Sequence, residues 1–363
     1  MKVATSLVTG TEASPQLAAQ AVTQAMQAAD MEAVSSVLLF LTSEFARDPA
    51  PALLAAAKAA SCIQVMGCSA SGIFTEQDWV LDAPAAAAMV FSDGVSLQAG
   101  TEHDSTQLLL ALAAPNAINM TWMDAPGLRF GGVSGDAIGH GPFSVWQNAK
   151  GAVTGHCEAA FTGVEGAVAA THGLRMLNAP SLVTQSEGHE LQLIAGRRAL
   201  ITLKKAFHQH AENADEILPL HRLMAVYAPS LEAIAQGNYQ LTTLVACNEF
   251  TDSITLASQV EAGQFLCWAL REPEAAQANL LQTVLDLKEK LQAQPDFGLL
   301  FSCLSRGPYF YGGVDKDLAL LKQEFPQMPL IGFYGNGEIA PVNGVSELLQ
   351  YSAVVALFAK SPP

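Results

Sequence analysis

Apolar runs alternate with helical patterns through the first hundred residues. The elements that this pattern predicts are, in order, strand 3–8, helix 15–29, strand 34–41, helix 52–60 and strand 63–66, closed by two further strands. Ser14 and Pro15 are typical of a helix start, which supports the first helix. Strands that alternate with helices predict right-handed crossovers and an α/β fold with a parallel or mixed sheet.

The last hundred residues repeat this order. Leu38-Leu39-Phe40 is matched by Leu299-Leu300-Phe301, and the apolar segment 86–91 is matched by 353–358. The repeated elements are strand 264–270, a helix from Pro273, strand 297–303, helix 314–325 and strand 328–333. We therefore predict an internal duplication, with mixed sheets covered by helices and two halves that share one cleft.

The central part of the chain has a different pattern. Residues 94–260 are richer in short β-patterned runs and turn signals, with a succession of short strands over 144–194. A helix is predicted over 196–212, and a soft domain boundary follows it at 212–215. This divides the chain into an amino-terminal region, 1–212, and a carboxy-terminal region, 213–363.

Composition indicates a globular protein with large buried sheets. Of its 363 residues, 50% are hydrophobic and 14% are charged. The net charge of −16 would repel nucleic acid and anionic membrane surfaces, so neither is expected as a partner. The longest apolar stretches are too short to span a membrane, and the amino terminus lacks a signal-peptide pattern. We therefore expect a cytoplasmic protein.

The sequence offers no metal or cofactor motif. Its six cysteines form no CxxC pair, which is typical of reduced thiols rather than of a metal site. His208, His210 and His221 have no convincing ligand spacing, and a dinucleotide or phosphate-loop fingerprint is not completed anywhere. We expect neither a metal ion nor a cofactor.

Three glycine-rich runs, 67–72, 131–136 and 332–338, are the candidate site. A glycine-rich turn at a strand exit lets a ligand approach backbone N–H groups that favour a carboxylate. A tight turn between paired strands is the alternative for the first run. The residues predicted to contact a ligand are Gly67, Cys68, Ser69, Ser71, Gly132, Asp136, Cys303, Arg306, Tyr334, Asn336 and Glu338.

Two charged residues suggest the ligand's chemistry. Arg306 follows an otherwise uncharged strand, and its guanidinium is suited to a carboxylate; the alternative is a structural salt bridge to an acid such as Asp315. Glu338 is placed to accept an ammonium group, or else to pair with Arg306. Asp136 either belongs to the cleft or caps its own turn. If Arg306 binds a carboxylate and Glu338 binds an ammonium group, the ligand would carry both groups, as an amino acid does.

These residues resemble the FIST family. The resemblance rests on the runs 67–72 and 131–136, and above all on 301–307 with 329–341, and it covers nearly the whole chain. It implies tandem FIST N and FIST C regions that act as a sensory module of intracellular signal transduction and bind small ligands such as amino acids. Because both regions fill the chain, the signal is expected to pass to a separate signalling partner.

Two other classes of function are compatible with the sequence. Cys68 at a strand exit could act as a nucleophile for acyl transfer or hydrolysis if His140 or His172 lay close to it. The cleft could instead hold a peptide or a partner loop, which would make the protein an interaction scaffold without a small ligand. The sequence favours a binding module over an enzyme, because nothing in it places a base near Cys68.

Overall fold

The computed structural model describes residues 1–100, 103–210, 217–237 and 239–361, which form two compact units. The first, here called the sheet unit, comprises residues 1–171 and those from 280 onward. The second, the inserted unit, comprises 172–279. Among the described residues, no helix combines the length and the apolar character that crossing a membrane would require.

The sheet unit begins with two successive repeats. Residues 2–92 form β1 (Lys2–Thr9), α1 (Pro15–Ala28), β2 (Ser36–Thr42), α2 (Ala50–Ala60), β3 (Val65–Ala70), β4 (Gly72–Thr75), β5 (Trp79–Val80) and β6 (Ala85–Ser92). Residues 96–162 form β7 (Ser96–Gln98), β8 (Leu108–Ala113), α3 (Met120–Met123), β9 (Leu128–Val133), β10 (Val145–Gln147), β11 (Lys150–Gly151) and β12 (His156–Thr162).

A third repeat is interrupted by the inserted unit. It starts with β13 (Val164–Thr171). The inserted unit then forms β14 (Leu174–Met176), β15 (Ser181–Glu187), β16 (Glu190–Ile194), β17 (Arg197–Arg198), α4 (Ala199–His208), β18 (Leu223–Ala228), α5 (Leu231–Ala235), β19 (Gln240–Asn248), β20 (Ser253–Leu256) and β21 (Phe265–Arg271). The chain continues through α6 (Pro273–Leu291), β22 (Phe297–Cys303), α7 (Lys316–Glu324), β23 (Leu330–Gly335), β24 (Glu338–Val342), β25 (Val345–Leu349) and β26 (Ala353–Lys360).

The three sheets of the sheet unit share one strand order. Within the described residues they run β1-β6-β2-β3-β10-β11, β7-β12-β8-β9-β24-β25 and β13-β26-β22-β23-β4-β5. In each sheet the third and fourth strands are parallel and all other neighbours are antiparallel. The predicted α/β fold with internal repetition is confirmed, and the central segment supplies a further copy.

Each repeat contributes a hairpin to the sheet of another repeat. The hairpin β4-β5 pairs with β23, β24-β25 pairs with β9, and β10-β11 pairs with β3. Since each hairpin follows directly or by a short loop from the parallel strand of its own repeat, the three repeats are interlocked. Unfolding one repeat therefore removes an edge strand from the sheet of a second.

The first glycine of each glycine-rich run lies inside a strand rather than in a turn. Gly67, Gly131 and Gly332 stand opposite Leu39, Ala111 and Leu300 in the three parallel pairs. A Cβ atom built on them would lie 1.7, 2.0 and 1.8 Å from the facing carbonyl oxygens. No side chain fits such an approach, so the glycines are required by strand packing.

Aromatic rings fill the space where the three sheets meet. Phe333 packs against Phe40 and Phe301 with ring centroids 4.9 and 5.3 Å apart. Gly132 occupies the position in β9 that Phe333 occupies in β23, and a Cβ there would lie 2.7 Å from the Phe333 ring. The small residue in one repeat makes room for the large one in another, so Gly132 serves the core and not a ligand.

The inserted unit is built on a ring of antiparallel strands. Among its described residues the pairing runs β21-β15-β16-β20-β19-β18 and returns to β21, with β14 beside β21. Leu200, Leu203 and Phe207 of α4 join the hydrophobic core of this unit. The sequence predicted that β21 is the first strand of the second copy of the α/β unit. In the structure β21 pairs with strands of the inserted unit, and β13 is the strand that pairs with β26. The boundary predicted at 212–215 lies outside the described residues.

Candidate functional site

The three glycine-rich runs meet at one point in the sheet unit, here called the junction. Ser71, Gly135 and Asn336 each lie four residues beyond the in-strand glycine of their repeat. A Cβ atom built on Gly135 would lie 2.9 Å from both Ser71 Oγ and Asn336 Oδ1. The structure therefore brings residues of the three runs close together.

Hydrogen bonds hold the junction together. Ser134 Oγ donates to the Ser69 carbonyl over 2.6 Å, and the two hydroxyls lie 3.0 Å apart. The Ser144 N–H donates to Ser69 Oγ over 3.0 Å. Ser71 Oγ is buried and has no hydrogen-bond partner among the described residues, whereas Asn336 is partly exposed. The junction is mainly an internal polar contact rather than an open cleft.

Arg306 forms a buried ion pair with Asp317. Its Nε donates to Asp317 Oδ2 over 2.7 Å, and one terminal nitrogen donates to the Thr171 carbonyl over 2.8 Å. Tyr311 donates its hydroxyl to the same Asp317 over 2.6 Å. The prediction that Arg306 contacts a ligand anion was therefore wrong for this structure. The alternative, a structural salt bridge, holds with Asp317 in place of Asp315.

Tyr334 and Asp315 extend this buried network. The Tyr334 hydroxyl donates to Asp315, which also caps α7 by accepting the Leu318 N–H over 2.9 Å. Burial, and next the charge of Asp317, raise the pKa of Asp315 to about 6. The Tyr334 ring packs on Phe74 at 4.8 Å between centroids, so it belongs to the core and forms no ligand-facing wall.

The remaining predicted residues are buried as well. Glu338 is fully buried and accepts the Ser352 hydroxyl over 2.6 Å. Asp136 accepts the N–H groups of Gly139 and Gly141, so it caps its own turn. Cys303 ends β22 and is 7% exposed. Their surroundings are those of structural residues.

Cys68 lacks the environment of a nucleophile. It is buried in the core of the sheet unit, and this burial raises the pKa of its thiol well above the ordinary value. His140 lies on an exposed loop. Within the described ranges, no group of histidine, cysteine and carboxylate side chains could hold a metal ion.

The inserted unit contains a cavity of about 420 Å³. It lies between α4, the segment 178–181 and the turn that follows β16. Its lining residues are Asn178, Ala179, Ser181, Ile194, Ala195, Arg197, Ile201, Thr202, Lys205, Ala206, Gln209 and Trp268. The volume is in the range of small-molecule sites in proteins.

A buried tryptophan orders the polar groups of this cavity. Trp268 Nε1 donates to Thr202 Oγ1 over 3.1 Å, and its backbone N–H donates to Asn178 Oδ1 over 2.8 Å. Thr202 in turn donates to the Ala199 carbonyl over 2.7 Å. These bonds hold the side chains of Thr202 and Asn178 in fixed positions against Trp268. The cavity wall is therefore preorganised.

Two cations line the cavity, and none of the described lining residues is acidic. Arg197 and Lys205 are exposed, and no carboxylate of the described residues lies within 4.0 Å of either charge. Their sequence neighbours are engaged elsewhere: Arg198 donates to the Thr251 carbonyl over 2.8 Å, and Lys204 pairs with Glu249 at 3.2 Å. In a chain with a net charge of −16, this local arrangement favours an anion.

Sequence reasoning missed the cavity residues. The available signal was the pair of adjacent basic dipeptides, 197–198 and 204–205, in a chain with only 18 basic residues. The predicted helix over 196–212 contained both pairs, but a helix period cannot show that one residue of each pair lines a cavity and the other does not.

Comparison with known proteins agrees with the resemblance seen in the sequence. The FIST N domain family matches residues 35–197 and the FIST C domain family matches 198–341. The uncharacterized protein Rv0628c of Mycobacterium tuberculosis (strain ATCC 25618 / H37Rv) is 26% identical over 348 residues, which is 89% of this chain and 91% of the relative. The uncharacterized protein Mb0898c of Mycobacterium bovis is 26% identical over 238 residues, 65% of this chain and 61% of the relative. The chain belongs to the FIST family, whose domains are sensory domains of signal transduction.

Proposed function

We propose that this protein is a cytoplasmic sensory module that binds a small carboxylate, amino acids among the candidates, in the cavity of the inserted unit. The observation that carries the proposal is the pair Arg197 and Lys205, which line a preorganised cavity that has no acidic residue among its described lining residues. The cavity draws on the FIST N match through 178–197 and on the FIST C match through 201–268. A ligand there would join the two family regions.

The chemistry of the lining suits a carboxylate. A guanidinium donates two parallel hydrogen bonds to a carboxylate, and a lysine ammonium adds a second positive charge. Neither cation has to break an ion pair before it binds, because none is formed among the described residues. Ile201, which is half-exposed, offers apolar surface for the rest of the ligand.

Binding can be converted into a signal by ordering α4. Lys205 and Thr202 lie on α4, whereas Arg197 precedes it and Asn178 lies on a separate segment. A ligand that touches all of them would favour one arrangement of these segments over others. We propose that a separate signalling protein reads that arrangement.

The test is thermal unfolding of the whole chain against a panel of amino acids, small carboxylates, amines and nucleotides. A ligand at 100 times its dissociation constant stabilises the folded state by about 2.7 kcal/mol, which raises Tm by a few degrees. The double variant Arg197→Ala with Lys205→Ala should lose the shift. The matched control is Arg198→Ala with Lys204→Ala, which removes two adjacent charges outside the cavity and should keep it.

Two results would count against the proposal. A shift of equal size in both double variants would place the ligand elsewhere in the molecule. No shift with any member of the panel would favour the interaction-scaffold alternative, and capture of a partner protein would then be the next experiment.

A further inference from the structure

We infer that the ligand of this cavity is an organic anion with an apolar body and no ammonium group, which excludes amino acids as the preferred class. The inference rests on the proposed function and narrows it. It follows from the charges that line the cavity, which are two cations and, among the described residues, no carboxylate.

An amino acid needs a partner for its ammonium group, and the best partner is a carboxylate. None of the described lining residues is acidic. The side-chain oxygens of Asn178 and Thr202 already accept hydrogen bonds from Trp268, which leaves the uncharged side chains of Ser181 and Gln209 as acceptors. An ammonium group would therefore share the cavity with two cations and have no described carboxylate to balance its charge, which is unfavourable.

The exposed apolar surface of the cavity requires a matching part of the ligand. Ile201 on α4 is 50% exposed and forms an aliphatic wall, whereas Trp268 and Ile194 are buried. A purely polar anion such as inorganic phosphate would satisfy Arg197 and Lys205 but leave the Ile201 side chain in contact with water. Burial of a hydrocarbon or aromatic group against Ile201 adds affinity in proportion to the apolar area covered.

The experiment compares matched ligands that differ only in their charged groups. The full chain is titrated by calorimetry with 3-phenylpropanoate, phenylalanine and 2-phenylethylamine, and with the aliphatic set pentanoate, norvaline and butylamine. In at least one set we expect the acid to bind most tightly, the amino acid at least about tenfold more weakly, and the amine not at all.

The outcomes separate this inference from the proposed function. If an amino acid binds as tightly as its matched acid and loses binding in the Arg197→Ala, Lys205→Ala variant, the proposed function stands and the inference is overturned. If neither acid nor amino acid of either set binds, both are overturned.

A gain of function gives an independent test. Gln209 lines the cavity at the end of α4, and its side chain makes no hydrogen bond to another described residue. Gln209→Glu would supply the missing carboxylate, so the preference for 3-phenylpropanoate over phenylalanine should narrow several-fold. If the preference for 3-phenylpropanoate over phenylalanine stays the same or widens, the ammonium group does not cause it, and the inference is overturned.

Discussion

Arg306 Nε and Asp317 Oδ2 form a 2.7 Å ion pair in which each side chain is only 1% exposed. The pair joins the end of β22 to α7 in the sheet unit. Removal of one partner leaves an uncompensated buried charge, which costs about 3–5 kcal/mol. Arg306→Ala should therefore lower the free energy of unfolding by this amount, as measured by urea denaturation.

The half-exposed pair of Arg175 and Glu272 is the control for that prediction. Arg175 is 34% exposed, so Arg175→Ala should cost about 1 kcal/mol or less. Equal stability losses in the two variants would contradict a structural role for Arg306. So would an Arg306→Ala protein that keeps its stability but loses ligand binding.

Asp315 makes the stability of the sheet unit depend on pH. Its pKa rises from 3.8 to about 6 on folding, so the folded state binds a proton that the unfolded state releases. The stabilising contribution is complete below pH 4 and is lost as the pH rises through 6. Relative to Asp315→Asn, which keeps an acceptor for the Leu318 N–H, the wild type should lose up to about 3 kcal/mol between pH 4 and pH 7. Parallel pH profiles of the two proteins would contradict this assignment.

Gly332 tests the close strand packing. A Cβ atom there would lie 1.8 Å from the Leu300 carbonyl oxygen, so Gly332→Ala must push two parallel strands apart. We expect it to destabilise the protein by about 3 kcal/mol or more, or to prevent folding. Gly151 also lies in a strand, but no atom lies within 4 Å of its Cβ position, so Gly151→Ala should change stability by about 0.5 kcal/mol at most. Similar effects of the two substitutions would refute the packing argument.

The thiol of Cys68 should be unreactive in the folded protein. Its burial and raised pKa oppose formation of the thiolate, whereas Cys62 and Cys247 are partly accessible. Iodoacetamide at neutral pH should modify Cys68 only after unfolding, as followed by peptide mass spectrometry. Rapid modification of Cys68 in the native protein would revive the enzyme alternative.

Much of the fold could be predicted from the sequence because strand and helix periods are local. The predicted strand 297–303 coincides with β22, and the first helix agrees with α1 to within a residue. The second repeat, residues 96–162, escaped detection because its crossover helix, α3, has only four residues and no helix is found between β7 and β8 in the described part of the chain. Exchange of hairpins between repeats depends on contacts far apart in sequence, which no local pattern contains.

The site was harder to predict because burial is a property of the folded chain. Arg306 after an uncharged strand is compatible with either a ligand contact or an ion pair, and only the position of Asp317 decides between them. Arg197 and Arg198 are identical in type and adjacent, yet one lines the cavity and the other bonds to Thr251. Such differences arise from the turn geometry around Gly196 and not from composition.

The most direct test of the proposed sensory site is a crystal structure of the full chain with the ligand that gives the largest thermal shift. We predict density in the cavity of the inserted unit, with the ligand's anionic group within hydrogen-bond distance of Arg197 or Lys205 and its apolar part against Ile201. Density instead at the junction of Ser71, Gly135 and Asn336, with an empty cavity, would contradict the account.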